Sequence, residues 1–176
     1  MRSILLAVLA LALVAPWANG HASERPIEAV APEMSAALVD HVASQRELAR
    51  ATAPVRSAAQ LHRYLREHRG PTSPFHALSA GALARFTGSL RFTERGLASF
   101  DYTDLRRELS ASQIHSLLRV FGVEDSATLV PSMQVRSAGD ALVVQPMVMH
   151  SGHHDMYCAG QGTCHRSPGM VCTDNC

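Results

Sequence analysis

Hydrophobic residues recur at helical spacing along the first half of the chain. Between Glu33 and Arg50 the apolar positions fall on one helix face, and charged residues occupy the other. A second apolar stripe follows Pro54, a residue that the first turn of a helix tolerates, and it stops before Gly70. The pattern therefore predicts two amphipathic helices, one over residues 33–50 and one that begins at Pro54.

Three further helices are expected between residues 79 and 122. Ser79 is placed to cap the first helix, and Asp101 is placed to cap a short second one. Ser110 and Gln113 have the spacing of a capping box in front of a third apolar stripe, which Gly122 ends. These residues make the third helix the clearest local prediction.

Two segments have the pattern of short β-hairpins. The first has arms around Phe92 and Phe100 and turns at residues 94–96, and the second spans 133–144 and turns at 137–140. The rest of the pattern is helical. The sequence therefore predicts a mainly α fold, a small multi-helix domain with one or two short β-hairpins and a disulfide-closed C-terminal tail.

The N-terminus has the features of a secretory signal peptide. Arg2 precedes the apolar run Ile4–Val14, which is 11 residues long, and small residues follow up to Ala22. A bilayer-spanning helix needs about 20 apolar residues, so the run is too short for an anchor. We expect a signal peptide over residues 1–22, cleaved after Ala22 or alternatively after Gly20. The mature protein is then secreted or periplasmic, with no transmembrane anchor.

Three regions are expected after the signal peptide. Residues 23–32 contain two prolines and little periodicity, and we interpret them as a flexible lead-in. Residues 33–145 form the mainly helical domain, and residues 146–176 form a tail that is rich in histidine and cysteine. The mature chain is long enough for one modest domain with its own core.

Charge and composition narrow the classes of partner. The formal net charge is +1, which provides no basic field for nucleic acid. All 16 basic residues are arginine, and alanine is abundant, which indicates coding bias in a GC-rich bacterial genome. We therefore expect an exported bacterial protein that does not bind nucleic acid.

The tail contains all four cysteines of the chain, and an even number in an oxidising compartment favours two disulfides. Four cysteines permit three pairings. A type II turn at Pro168-Gly169 would favour a nested arrangement, because the two inner and the two outer cysteines are centred on nearly the same residue. The nested pairs are Cys158 with Cys176 and Cys164 with Cys172.

A metal site competes with a solvated linker as the explanation of the other tail residues. Imidazole and carboxylate groups lie within six positions, and nearby methionine thioethers suit Cu(I). The candidate ligands for Zn or Cu are His150, His153, His154 and Asp155. Their spacing matches no closed zinc motif, so the alternative is a protein without a cofactor.

Haem attachment is a third interpretation of the tail. Cys158, Cys164 and His165 provide two thiols and an adjacent histidine, but five residues separate the cysteines where c-type haem normally has two. The spacing therefore argues against haem.

No catalytic motif occurs in the chain, which has no Gly-x-Ser-x-Gly elbow, no His-Glu-x-x-His and no phosphate loop. We therefore expect a non-catalytic binding or interaction protein with an unknown protein or cell-surface partner. Two alternatives stay open. One is a periplasmic or extracellular Zn/Cu-binding protein, and the other is the precursor of a cysteine-rich peptide such as an antimicrobial peptide.

Overall fold

Helices predominate in residues 31–145 and strands in residues 152–176, and these two ranges are the residues that the computed structural model describes. The predicted signal peptide, most of the predicted lead-in and His150 lie outside them. The helices are α1 Ala31–Thr52, α2 Ala58–Glu67, α3 Ala80–Ser89, α4 Thr103–Glu108, α5 Ala111–Arg119 and α6 Ala138–Val143. The strands are β1 Arg91–Thr93, β2 Gly96–Asp101, β3 Gly152–Gly160 and β4 Thr163–Thr173. Two 3-10 helices cover Pro74–Ala77 and Glu124–Leu129.

The strands form one antiparallel sheet in the order β1-β2-β4-β3. The prediction of a mainly α fold is therefore wrong, since the protein is about 50% helical and 23% strand. The missed part is the tail, whose two strands make half of the sheet. Phe100 of β2 lies opposite Val171 of β4, a pairing between distant parts of the chain that local periodicity cannot reveal.

Most of the local helix signals are confirmed. The hydroxyl of Ser79 accepts a hydrogen bond from the N–H of Ala82, and Ser110 and Gln113 form the predicted capping box. The helix expected to begin at Pro54 instead begins after its cap Ser57. The residues between Pro54 and Ser57 attach this segment to the end of α5 instead. The N–H of the fully buried Val55 donates to the carbonyl of Val120, the C-cap of α5, at 3.1 Å.

The hairpin predicted over residues 133–144 is wrong, because α6 lies there. Ser137 caps α6 by accepting from the N–H of Asp140 at 3.1 Å. The Asp140 carboxylate is buried and accepts from the backbone N–H of Ser112, in the first turn of α5, at 2.7 Å. A Ser-x-x-Asp segment suits a helix start as well as a turn, and Asp140 satisfies donors at the starts of two helices.

The two faces of the sheet are buried differently. Leu97, Phe100 and Val171 face the main core, which the helices complete with residues such as Phe86 and Leu117. A smaller cluster forms separately around Ala98, Cys172 and Cys176, with partly buried Met156, Cys158 and Cys164 packed against it. The helices thus cover one face, and cysteines take the place of a second layer on the other.

Helix α1 is attached mainly by polar contacts near its C-terminal end. Arg46 pairs with Asp125 at 2.5 Å, and Arg50 pairs with Asp174 at 2.9 Å. Leu48 keeps 56% of its surface exposed. No helix in the described ranges is long and apolar enough to cross a membrane.

Candidate functional site

The candidate site is the hairpin of β3 and β4, residues 152–173, which we call the tail hairpin. It turns at Gln161 and Gly162, where Gly162 has a φ of 72° that favours glycine. The N–H of Gly162 donates to the carbonyl of Cys176 at 2.7 Å, so the last residue folds back against the turn. The side chains of residues 159–163 are exposed.

Two disulfides tie the tail hairpin together. Cys158 bonds Cys176 and Cys164 bonds Cys172, which is the nested arrangement. The turn is not at Pro168-Gly169, as the sequence had suggested. Those two residues lie inside β4, so the reason given for the nested pairing was wrong although the cysteines are paired in that way.

Pro168 and Gly169 belong to a four-residue bulge in β4. His154 lies opposite Val171 while Met156 lies opposite Arg166, so the segment 167–170 of β4 lies opposite the single residue Asp155 of β3. The bulge changes the register between the base of the hairpin, where residues 170–172 of β4 also pair with β2, and its tip, which is the turn at residues 159–163.

Asp155 holds this bulge in place. Its carboxylate accepts hydrogen bonds from the hydroxyl of Tyr102 at 2.6 Å and from the N–H of Gly169 at 3.0 Å. These two donors, the Tyr102 hydroxyl first, hold the pKa of Asp155 below its usual range. The pKa of Tyr102 is raised, by burial first and then by this bond to the carboxylate.

The predicted metal ligands are placed along the edge strand β3. His153 and His154 are both exposed, and consecutive residues of a strand point to opposite faces. The Asp155 carboxylate already accepts hydrogen bonds from Tyr102 and Gly169. His150 lies outside the described residues. Within residues 152–176, His153, His154 and Asp155 are not gathered into one ligand group. Metal binding by this set stays a prediction.

Sequence reasoning missed a cross-strand pair near the tip. Tyr157 lies opposite His165, with ring centroids 6.1 Å apart and planes at 81°. His165 and the following Arg166 are exposed. The signal that could have found the pair is Gly160-Gln161-Gly162, a turn sequence centred midway between Tyr157 and His165.

Among the described residues, three cysteines form the one group of at least three side chains whose potential ligand atoms lie close together. The Sγ atoms of Cys164, Cys172 and Cys176 all lie within 4.8 Å of one another. Cys172 is fully buried, and Cys176 is 7% exposed. Sequence reasoning considered these residues as disulfide partners and, for Cys164, as a haem thiol, but it did not bring the three together, because their convergence depends on the pairing of β4 with β2 and β3.

Comparison of the chain with protein-family models, with curated proteins and with solved structures finds no match. The geometry of the tail hairpin is therefore the basis on which a function can be proposed.

Proposed function

We propose that this chain is an exported bacterial protein that binds a protein or cell-surface partner without catalysis, and that the tail hairpin is its binding surface. The observation that carries the proposal is a hairpin with an exposed tip that is held by two disulfides and by strand pairing with the rest of the sheet. The disulfides are compatible with a secreted or periplasmic protein.

The contacts that fix the hairpin to the rest of the fold reduce the conformational entropy that it loses on binding a partner. Strand β4 pairs with β2 on one side and with β3 on the other, and two disulfides close the same segment. Asp155 fixes the bulge between base and tip. A preorganised surface loses less conformational entropy when a partner binds, so more of its contact energy appears as affinity.

The side chains near the tip suit recognition. Tyr157 and Arg166 are of the residue types that are enriched in protein interfaces, and His165 lies opposite Tyr157 and directly precedes Arg166. The tip also exposes Gln161 between two glycines, which leaves the turn backbone accessible. We therefore expect Tyr157, His165 and Arg166 to contribute most to affinity.

The position of β4 favours a retained tail over a released peptide. Val171 and Cys172 are fully buried, and Asn175 is also fully buried near the end of the chain. Release of the tail by proteolysis would remove a central strand and expose one face of the main core. This packing supports a binding protein in preference to the precursor of a cysteine-rich peptide.

Export is tested by N-terminal sequencing and intact mass of the natural protein. We expect a mature chain that begins at Ser23 and carries two disulfides, hence four hydrogens fewer than the reduced form. A chain that retains Met1 and sediments with membranes would contradict export. A chain that is cut between α6 and β3 would support the precursor alternative.

Binding by the hairpin is tested with a photo-crosslinking amino acid at Gln161 in the exported protein. The control carries the same group at Arg69, an exposed position in the loop that follows α2. We expect a crosslinked partner only from position 161, and we expect it to be lost in the variant Tyr157→Ala/His165→Ala. Equal crosslinking from both positions, or crosslinking that the double variant does not reduce, would show that the hairpin is not the binding surface.

A further inference from the structure

The four cysteines lie on the same face of the sheet, although they belong to two separate bridges. Cys158 and Cys164 are directly opposite each other in the β3–β4 pairing, and Cys172 lies farther along β4. The Sγ of Cys176 is bonded to that of Cys158 and lies within 4.8 Å of those of Cys164 and Cys172. One small volume therefore holds all four sulfur atoms.

We propose that the reduced protein binds one Zn²⁺ ion through Cys158, Cys164, Cys172 and Cys176. This face of the sheet is then closed in either of two ways, by two disulfides or by one zinc tetrathiolate. The site is separate from the predicted histidine ligands, and it does not depend on the partner proposed above.

Three of the four sulfur atoms already lie close to the spacing of a tetrahedral site. Zinc–sulfur bonds of about 2.3 Å place the sulfurs of a tetrahedral site about 3.8 Å apart. The sulfurs of Cys164, Cys172 and Cys176 lie within 4.8 Å of one another. The bonded sulfurs must separate by side-chain rotation, and the sulfur of Cys158, which lies outside this group of three, must move toward those of Cys164 and Cys172. Cys172 and Cys176 also have three residues between them, a spacing that zinc sites commonly use.

The surroundings are those of a closed structural site. Ala98 and Met156 pack against the cysteines; Cys172 and Cys176 are buried, and Cys158 and Cys164 are half-buried. Four protein thiolates fill the coordination of zinc and leave no open position. The expected role of the ion is to hold the hairpin in place of the missing apolar layer.

The chemistry balances with a dithiol as reductant. Each disulfide accepts two electrons and two protons from one dithiol, which leaves as its own cyclic disulfide, and two protein thiols form. Zn²⁺ then displaces four protons from the four thiols. In the oxidised protein, the sulfurs of Cys176 and Cys158 lie 3.1 and 3.4 Å from the carbonyl oxygen of Gly160, which can accept S–H hydrogen bonds from both thiols once the disulfide is reduced. Because these protons must leave, zinc affinity is expected to rise with pH.

The test uses the full mature protein, reduced with dithiothreitol and freed of it by anaerobic gel filtration. Co²⁺ is titrated first, because tetrahedral thiolate coordination gives intense visible bands and a sulfur-to-cobalt charge-transfer band. We expect one Co²⁺ per chain, complete displacement by one Zn²⁺, and no such bands in the oxidised protein. Zinc should also raise the melting temperature of the reduced protein.

Two variants separate this site from other ligands. His153→Ala/His154→Ala/His165→Ala should keep the cobalt spectrum, and Cys158→Ala/Cys176→Ala should lose it and bind zinc at least about 100-fold more weakly. Absence of the thiolate bands in the reduced wild type would overturn the proposal. So would bands that survive loss of the cysteine pair, bands that disappear with the histidines, or zinc binding that leaves the melting of the reduced protein unchanged.

Discussion

The hydroxyl of Tyr102 donates a 2.6 Å hydrogen bond to the carboxylate of Asp155, and this bond connects the start of α4 to the edge strand β3. The backbone N–H of Tyr102 donates to the carbonyl of Gly169 at 2.8 Å. One residue of the helical part thus holds both strands of the tail hairpin at the β4 bulge. The register of the hairpin tip depends on this contact.

We expect Tyr102→Phe to lower the free energy of unfolding by about 1 kcal/mol, because a buried residue loses one hydrogen bond and keeps its ring. Urea denaturation followed by circular dichroism measures the change. Tyr157→Phe is the matched control, since its hydroxyl makes no hydrogen bond among the described residues, and it should change stability by less than about 0.5 kcal/mol. Equal effects of both substitutions would argue against a specific role for Tyr102.

The same contact predicts a pH dependence. Folding lowers the pKa of Asp155, so its contribution to stability is complete above the unfolded pKa of about 3.9 and is lost as the pH falls through the lower folded value. We expect the stability difference between wild type and Tyr102→Phe to be constant from pH 7 to about pH 5 and to shrink below about pH 4. Urea titrations at several pH values measure it. A difference that grows as the pH falls would contradict this assignment.

Local sequence signals predicted the helices better than the sheet. The capping box of Ser110 and Gln113 involves residues three apart, so the sequence alone reveals it. The hydroxyl of Ser137 and the carboxylate of Asp140 suit either a turn or a helix start, and the contact of Asp140 with Ser112 that accompanies the helix is not visible locally. Secondary structure that depends on such distant contacts is beyond a local pattern.

The two strands of the tail were not predicted, for a related physical reason. It has few large apolar side chains, which indicated that it could not build a core of its own. Bonded cysteines bury well, and Val171 reaches the core of the helical part through the pairing of β4 with β2. The sequence therefore suggested which residues would be unusual, but not the sheet that gathers four of them on one face.

The two disulfides should contribute unequally to stability. Loss of Cys158–Cys176 frees a loop with a sequence separation of 18, against 8 for Cys164–Cys172. The chain-entropy relation gives about 3 kcal/mol for the longer loop and about 2.5 kcal/mol for the shorter one. We expect Cys158→Ala/Cys176→Ala to lower the denaturation midpoint more than Cys164→Ala/Cys172→Ala does.

Tryptic mapping checks the connectivity itself. Cleavage at Arg166 separates the first two cysteines from the last two, so both disulfides should keep the fragments joined until reductant is added. Fragmentation mass spectrometry should then find Cys158 linked to Cys176. Fragments that separate without reductant would contradict the structure of the hairpin.

Gly122 should be intolerant of a side chain. It has a φ of 67°, and a Cβ at this position would lie 2.4 Å from the carbonyl oxygen of Ala49 in α1. We expect Gly122→Ala to destabilise the protein by at least about 1 kcal/mol, because the added Cβ strains the backbone at this φ and collides with α1. Gly88→Ala in α3 is the control, since nothing lies within 4 Å of its added Cβ and it should be stabilising by up to about 1 kcal/mol. Thermal melting of both variants distinguishes a conformational requirement from a general effect of replacing glycine.

The histidine ligands make a prediction for the oxidised protein that is separate from the zinc tetrathiolate. Disulfide formation removes the thiolates as ligands, so any affinity of the oxidised form for Zn²⁺ or Cu²⁺ must come from other groups. His153 and His154 are exposed on opposite faces of β3, and Asp155 already accepts two hydrogen bonds, so these three residues are poorly placed to bind one ion together.

If they bind, we expect weak binding that the substitution of His150, His153 and His154 by alanine abolishes. Calorimetric titration of the oxidised protein with each ion measures it, with Cys164→Ala/Cys172→Ala as the control that should bind as the wild type does. Binding that survives loss of the histidines but disappears with the cysteine pair would show that the ligand assignment is wrong.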